Sequence, residues 1–235
     1  MLLFYATNIA SEIITLDEND SKHAIKVLRL KIGDKIYVVN GSGNLFKCEI
    51  LDAHPKKCTL TILNKEFQTN PFEQISIAVA PTKNNNRYEW FLEKATEIGI
   101  GSIIPIVTKN SERKVIKEDR MEKVLVAAMK QSLKRYVPIL KSAITFKALV
   151  EQHSSSDLNL LIAHCYPDIP KEKIYKRVNS SKSTLLLIGP EGDFSKDEVE
   201  FALQNGFQSV TLGDARLRTE TAAIMACVQL NMIYD

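Results

Sequence analysis

Residues 184–198 read TLLLIGPEGDFSKDE. An apolar run ends in a Gly-Pro-Glu-Gly turn, and a helix signal follows at once. Ser195 and Glu198 stand at the N-cap and N3 spacing of a capping box, so the sequence predicts a helix from Lys196. Apolar strand, glycine turn and capped helix form one unit of an alternating β/α chain. The same grammar holds on either side. ISIAVA (75–80), SIIPIVT (102–108), LNLLIA (158–163) and SVTLG (209–213) are short apolar strands. Between them lie RYEWFLEKATEIGI (87–100), in which Tyr88, Phe91, Leu92, Ala95 and Ile98 share a helical face stopped at Gly99, and a long helix over 117–135. Strands alternating with helices predict a largely parallel sheet covered on both faces, with ligands at the carboxyl ends of strands. GPEG lies at one such end. LGDARLRTETA (212–222) lies at the end of the next strand.

The first third of the chain reads differently. After DSKHAIKVLRL (20–30), a helix, come three β-rich runs, Lys35 to Val39, Phe46 to Leu51 and Cys58 to Leu63, with NGSGN and HPKK as turns. Phe46, Cys48 and Ile50 alternate with Lys47 and Glu49, the period of a half-buried strand. Such closely spaced strands close into a small barrel or a strongly curved sheet. Asn70-Pro71 reads as the linker, giving two domains, 1–70 and 71–235.

The 235 residues suit two domains of ordinary globular composition, 45% hydrophobic and 25% charged. Net charge is only +3, but 109–147 carries eleven basic against four acidic residues, and 151–235 carries eight against twelve. A basic block beside an acidic one points to a polyanion-binding face. In the helix over 117–135, Arg120, Lys123, Ala127, Lys130 and Lys134 form one stripe, opposite Met121, Val124, Leu125, Ala128 and Ser132. The four cysteines form no CxxC pair and the four histidines no HxxxH, so neither a disulfide framework nor a metal site is expected. No apolar run reaches the ~20 residues needed to span a bilayer, and MLLFYATNIASEI lacks the basic start of a signal peptide; a cytoplasmic protein is expected.

Two stretches carry chemistry. GPEG is not a phosphate loop, because GK[ST] is missing, and not a dinucleotide fingerprint. It has the GxxG spacing of a KH clamp, but that clamp joins two helices, whereas this turn follows a strand. Glu191 between the glycines disfavours phosphate and suits a neutral or cationic ligand. In LGDARLRTETAAIMACVQL, Arg216, Arg218 and Glu220 crowd beside Gly213 directly before a helix of small and apolar residues. One reading is a polar site. The other is Thr219 or Thr221 as a cap, with solvated arginines.

GPEG followed about twenty residues later by LG…LRTETA, with HAIKVLRLKIGDKI (23–36) and NRYEWFLEKATEIGIGSIIPI (86–106), resembles the RsmE-type 16S ribosomal RNA uridine-N3 methyltransferases of the SPOUT superfamily. The resemblance runs over nearly the whole chain. It implies a PUA-like N-terminal β-barrel that binds RNA and a C-terminal α/β methyltransferase domain with a deep trefoil knot. It also implies S-adenosylmethionine as methyl donor, 16S ribosomal RNA or the small ribosomal subunit as partner, and a homodimer. On the matching positions, Ile188, Gly189, Pro190, Glu191, Gly192, Leu212, Gly213, Leu217, Thr221 and Ala222 are expected to hold the cofactor, and Arg218 and Glu220 to be catalytic. The glycines are expected to give the ligand close access to the backbone. RNA contacts are expected from Lys22, His23, Arg29, Arg120, Lys123, Lys130, Lys134 and Arg135. The chain departs from the family at three places. A frequent Glu-Gln-Ser-Gly-Arg run reads Lys130-Gln131-Ser132-Leu133-Lys134-Arg135, the usual second glycine after GPEG is Asp193, and LGxRxLR reads LGDARLR (212–218). The alternatives are a ribose 2′-O-methyltransferase of the same superfamily and a non-catalytic RNA-binding or ribosome-assembly protein.

Overall fold

The structure, a computed structural model, describes residues 2–7, 9 and 12–235. It divides into two compact units: Met1–Asn70 with Val126–Val137, and Pro71–Leu125 with Pro138–Asp235.

In the first unit, strands β1 (Leu3–Tyr5), β2 (Ile13–Thr15), β3 (Lys35–Val39), β4 (Asn44–Asp52) and β5 (Thr59–Phe67) form one sheet in the order β1-β3-β4-β5-β2. All neighbours are antiparallel except β1 and β3. Of barrel and curved sheet, the ladder is the second: β1 and β2 are unpaired with each other among the described residues. Register shifts at Lys47/Cys48 and Ile50/Asp52 bulge β4, which bends a strand. The alternation read in the sequence places Phe46, Cys48 and Ile50 in the core with Ile14, Ile36, Val38 and Leu60. Helix α1 (Glu18–Lys22) is capped by Asp17, whose Oδ1 accepts the Asp20 N–H at 2.7 Å, and continues into a π-helical turn over His23–Val27.

In the second unit, the strands are β6 (Ile75–Val79), β7 (Ser102–Val107), β8 (Ile139–Leu140), β9 (Ile144–Thr145), β10 (Asn159–Ala163), β11 (Glu172–Lys173), β12 (Thr184–Ile188) and β13 (Gln208–Thr211). The helices are α2 (Asn85–Ile98), α3 (Glu118–Gln131), whose residues from Val126 onward belong to the first unit, α4 (Phe146–His153), α5 (Lys196–Gln204) and α6 (Thr219–Tyr234). The sheet runs β11-β13-β10-β12-β6-β7-β8, with β9 also on β7, and every pair is parallel. The unbroken apolar run of β12 is buried at all five positions, as a central parallel strand covered on both faces requires. Phe146, Phe194, Val199 and Phe207 pack on its Leu185 and Leu187.

GPEG and LRTETA follow successive strands of the chain, β12 and β13, as the sequence reads, and in the sheet β10 lies between the two. The chain returns β12 into the sheet between β10 and β6, in register Ala163↔Ile188 and Ile188↔Val79, a connection local periodicity does not encode. One expectation needs correction, the length of the long helix. It stops at Gln131, before the predicted 135. Leu133 takes a left-handed conformation, φ 56°, and the Lys134 N–H turns back to the Met129 carbonyl at 3.0 Å. Lys134 is therefore off the helical stripe, and Arg135 lies beyond the helix.

Candidate functional site

The carboxyl ends of β10, β12 and β13 open onto a cavity of about 960 Å³. One wall is the turn 188–193 after β12. The second is the stretch 210–219 after β13, with Ala222 of α6. The third is 163–167 with Lys171, after β10.

The GPEG turn is held from several directions. Ser195 Oγ accepts the Glu198 N–H at 3.3 Å, while Glu198 returns Oε2 to the Ser195 N–H at 2.8 Å and Oε1 to the Lys109 N–H at 2.8 Å. The predicted capping box is thus formed, and it also ties in the loop after β7. Glu191 Oε1 accepts the Lys83 N–H at 3.0 Å, which gives the acidic residue a structural partner. The backbone of Gly189 is crowded by its own turn: a Cβ there would stand 3.0 Å from the Phe194 nitrogen. Gly213 is different. Its φ of 136° requires glycine, yet nothing lies within 4 Å of where a Cβ would be. At Gly192 a Cβ would meet only Asn110, at 3.5 Å. The three glycines therefore differ in their surroundings: Gly189 closes a tight turn, Gly213 sets a dihedral beside open space, and Gly192 is not required sterically by the protein around it.

Of the residues proposed from the sequence, Ile188, Gly189, Pro190, Glu191, Gly192, Leu212, Gly213, Leu217, Arg218 and Ala222 line this cavity. Thr221 and Glu220 do not, although they lie in the first turn of α6. Glu220 is buried, with Oε1 3.8 Å from Arg87 Nε, and its Oε2 has no hydrogen-bond partner. The cap position of α6 is Arg218 rather than Thr219 or Thr221, and its side chain makes no capping bond. The Arg218 and Arg216 side chains are exposed at the cavity.

The third wall is the part sequence reasoning missed. His164 is 7% exposed; its Nε2 lies 2.8 Å from Ser209 Oγ, and its Nδ1 is buried without a partner. Burial and the Lys171 ammonium hold its pKa below the ordinary imidazole value, against a weaker upward pull from Asp193 and Asp168. Asp193 accepts the Cys165 N–H at 2.7 Å, and Tyr166 donates its hydroxyl to the Phe194 carbonyl at 2.9 Å. The available signal was the apolar run LNLLIA running into HCYP, one more strand ending in polar residues.

The predicted RNA-contact residues divide by partner. Lys22, His23, Arg29 and Lys123 are exposed. Arg120 is paired with Glu89 at 2.7 Å, Lys130 with Asp20 at 2.8 Å and Arg135 with Glu66 at 2.9 Å. Lys134 is half-buried, and desolvation lowers its pKa. Among the described residues no three His, Cys, Asp or Glu side chains converge as a metal site requires, and no helix is long and apolar enough to cross a membrane.

Comparison with known proteins decides the family. Residues 68–231 match the model of the RNA methyltransferase domain, and residues 16–63 that of the RNA methyltransferase PUA domain. The chain is 31% identical over 227 residues to ribosomal RNA small subunit methyltransferase E of Rickettsia conorii, covering 94% of this chain and 90% of that one. The chain belongs to the ribosomal RNA small subunit methyltransferase E family. Among solved structures, a "probable rRNA-methyltransferase" from Porphyromonas gingivalis is 36% identical and superimposes with a TM-score of 0.90 over 99% of this chain and 98% of that one. A methyltransferase-like protein of Legionella pneumophila, solved with bound cofactor SAM, is 26% identical with a TM-score of 0.84 over 98% and 97%. The GPEG and LRTETA stretches meet at the cavity described above.

Proposed function

We propose that the protein transfers a methyl group from S-adenosylmethionine to N3 of a uridine in 16S ribosomal RNA of the small subunit. The observation that carries this reading is the cavity at the ends of β10, β12 and β13, lined by the GPEG and LRTETA stretches in a chain of this family. Its volume of about 960 Å³ stands at the upper end of ligand sites. Its lining suits the cofactor: backbone-rich turns for an adenine edge, Ile188, Leu212 and Leu217 for its faces, and Glu191 and Asp214 as anionic neighbours of a sulfonium. When bound, S-adenosylmethionine supplies an already activated methyl group, so the protein's tasks are alignment and charge management.

Uridine N3 carries a proton at neutral pH and becomes nucleophilic as that proton leaves. Arg218, exposed at the cavity, stabilises negative charge developing on the uracil carbonyl oxygens. Glu220 faces Arg87 rather than the cavity, so its part is to accept the proton through water or to hold the start of α6. RNA is held by the exposed Lys22, His23, Arg29 and Lys123 through its phosphates. Lys130 and Arg135, being ion-paired, contribute less to that contact. The first domain serves as a PUA-like RNA platform, and the segment from β12 onward threads a trefoil knot, a reading supported by the return of β12 between two earlier strands. The protein works in the cytoplasm as a homodimer, which the exposed Trp90, Met225 and Met232 of the packed helices α2 and α6 support.

The test is methylation of small subunits from a strain lacking the corresponding enzyme, followed by nucleoside mass spectrometry. The reading predicts 3-methyluridine. A ribose-methylated product would move the protein to the 2′-O class, and no incorporation would leave an RNA-binding scaffold.

A further inference from the structure

Asp193 sits where the turn after β12 meets the loop after β10. The two strands are paired as far as Ala163↔Ile188, and there the ladder ends. Beyond it the chains separate around the cavity. The Asp193 carboxylate rejoins them: Oδ2 accepts the Cys165 N–H at 2.7 Å, and Oδ1 accepts the Phe194 N–H at 2.7 Å. Its backbone is committed as well. The N–H donates to the Pro190 carbonyl at 2.9 Å, and the carbonyl accepts from Asn110 Nδ2 at 3.0 Å. Asp193 holds this position in a left-handed conformation, φ 62°, which costs most side chains about 1–2 kcal/mol and is best tolerated by Asp and Asn. Glycine would adopt the turn without strain. The carboxylate therefore gains something a glycine cannot supply, namely a charge-assisted hydrogen bond across the mouth of the cavity.

We infer that Asp193 is a positioning residue: its carboxylate fixes the loop 164–167 against the turn 189–194, so that the cavity is shaped before its ligand arrives. The inference rests on the S-adenosylmethionine reading for the identity of that ligand. Asp193 acts on binding, by removing the ordering cost of a loose wall; it takes no part in the displacement at the methyl group. Because it acts through shape, it favours the cofactor and the demethylated product S-adenosylhomocysteine alike. A carboxylate acting only by attraction to the sulfonium would favour the cofactor alone.

The test compares wild type with Asp193→Gly and Asp193→Asn. Glycine keeps the backbone conformation and deletes the clip; asparagine keeps one acceptor oxygen. Calorimetric titrations should show S-adenosylmethionine and S-adenosylhomocysteine both weakened about tenfold in D193G, and restored to within about threefold of wild type in D193N. Hydrogen exchange of the ligand-free proteins should show the Cys165 amide deprotected in D193G. In turnover, KM for the cofactor should rise with kcat within twofold of wild type. Unchanged affinity in D193G, loss confined to the sulfonium ligand, or a fall in kcat at constant KM would each overturn the inference. Wild-type protein that binds neither ligand would overturn the cofactor reading instead, while the amide exchange still tests the clip.

Discussion

Replacing Lys130 by alanine should destabilise the first unit by about 2 kcal/mol. The ammonium lies 2.8 Å from Asp20 Oδ1, and the side chains are 27% and 10% exposed. At that separation and an effective dielectric of ~20 the gross attraction is about 6 kcal/mol, most of it offset by the desolvation of both charges. Deleting the lysine alone leaves Asp20, among the described residues, with only the long contact from the Tyr5 N–H, 3.4 Å, and little exposure to water. Breaking a fully buried pair costs about 3–5 kcal/mol; the partial exposure of Lys130 brings the expectation down to about 2. Urea unfolding of wild type, K130A, D20N and the double variant supplies the cycle, with a coupling energy of about 1–2 kcal/mol expected. The same lysine should matter little for RNA: K130A should leave the salt dependence of RNA binding unchanged, whereas Lys123→Glu should reduce it. A loss below about 0.5 kcal/mol with no coupling, or an altered salt slope for K130A, would return Lys130 to the nucleic-acid surface.

Four further outcomes follow from the geometry. Arg218→Ala should lower kcat about 10²–10³-fold while cofactor binding stays within a few-fold, measured by single-turnover methylation and calorimetry; a wild-type rate removes Arg218 from the chemistry. Leu133→Gly should stabilise the chain by about 0.5–1 kcal/mol, because relief of the left-handed strain exceeds the added entropy of glycine and the half-exposed side chain gives up little burial; a lower denaturation midpoint would contradict this. Glu198→Ala removes an acceptor shared by the Ser195 and Lys109 amides and should cost about 1–2 kcal/mol, with amide exchange at both positions accelerated. His164 should contribute a loss of stability on acidification. Its folded pKa lies below the unfolded 6.5, so the unfolded chain binds more protons and stability falls as pH drops through that value towards the lowered one. His164→Gln should flatten that part of the pH–stability curve, and an unaltered curve would show that the imidazole is protonated in place.

The sequence made the parallel sheet legible because apolar strands such as TLLLI and LNLLIA are short, continuous and punctuated by turns. The start of α5 was readable to the residue, since Ser195 and Glu198 satisfy each other's backbone donors locally. What escaped was non-local. Nothing in the period of LNLLIA says that its strand sits between β12 and β13, so His164, Tyr166 and Lys171 were not seen as a wall of the site. The stripe Arg120, Lys123, Lys130 and Lys134 was read as one RNA-binding face, but carboxylates distant in sequence, Glu89 and Asp20, engage two of its members, and a left-handed Leu133 removes Lys134 from the helix. Glu220, adjacent in sequence to the cavity residues, turns instead toward Arg87 of α2.

The account stands on the ends of β10, β12 and β13 as the seat of the methyl donor. Crystals soaked with S-adenosylhomocysteine test that most directly. The product should lie with its adenine against Ile188, Leu212 and Leu217 and its sulfur on the side of Arg218. A ligand found elsewhere on the chain, or no binding at concentrations that saturate related methyltransferases, would contradict the proposed chemistry.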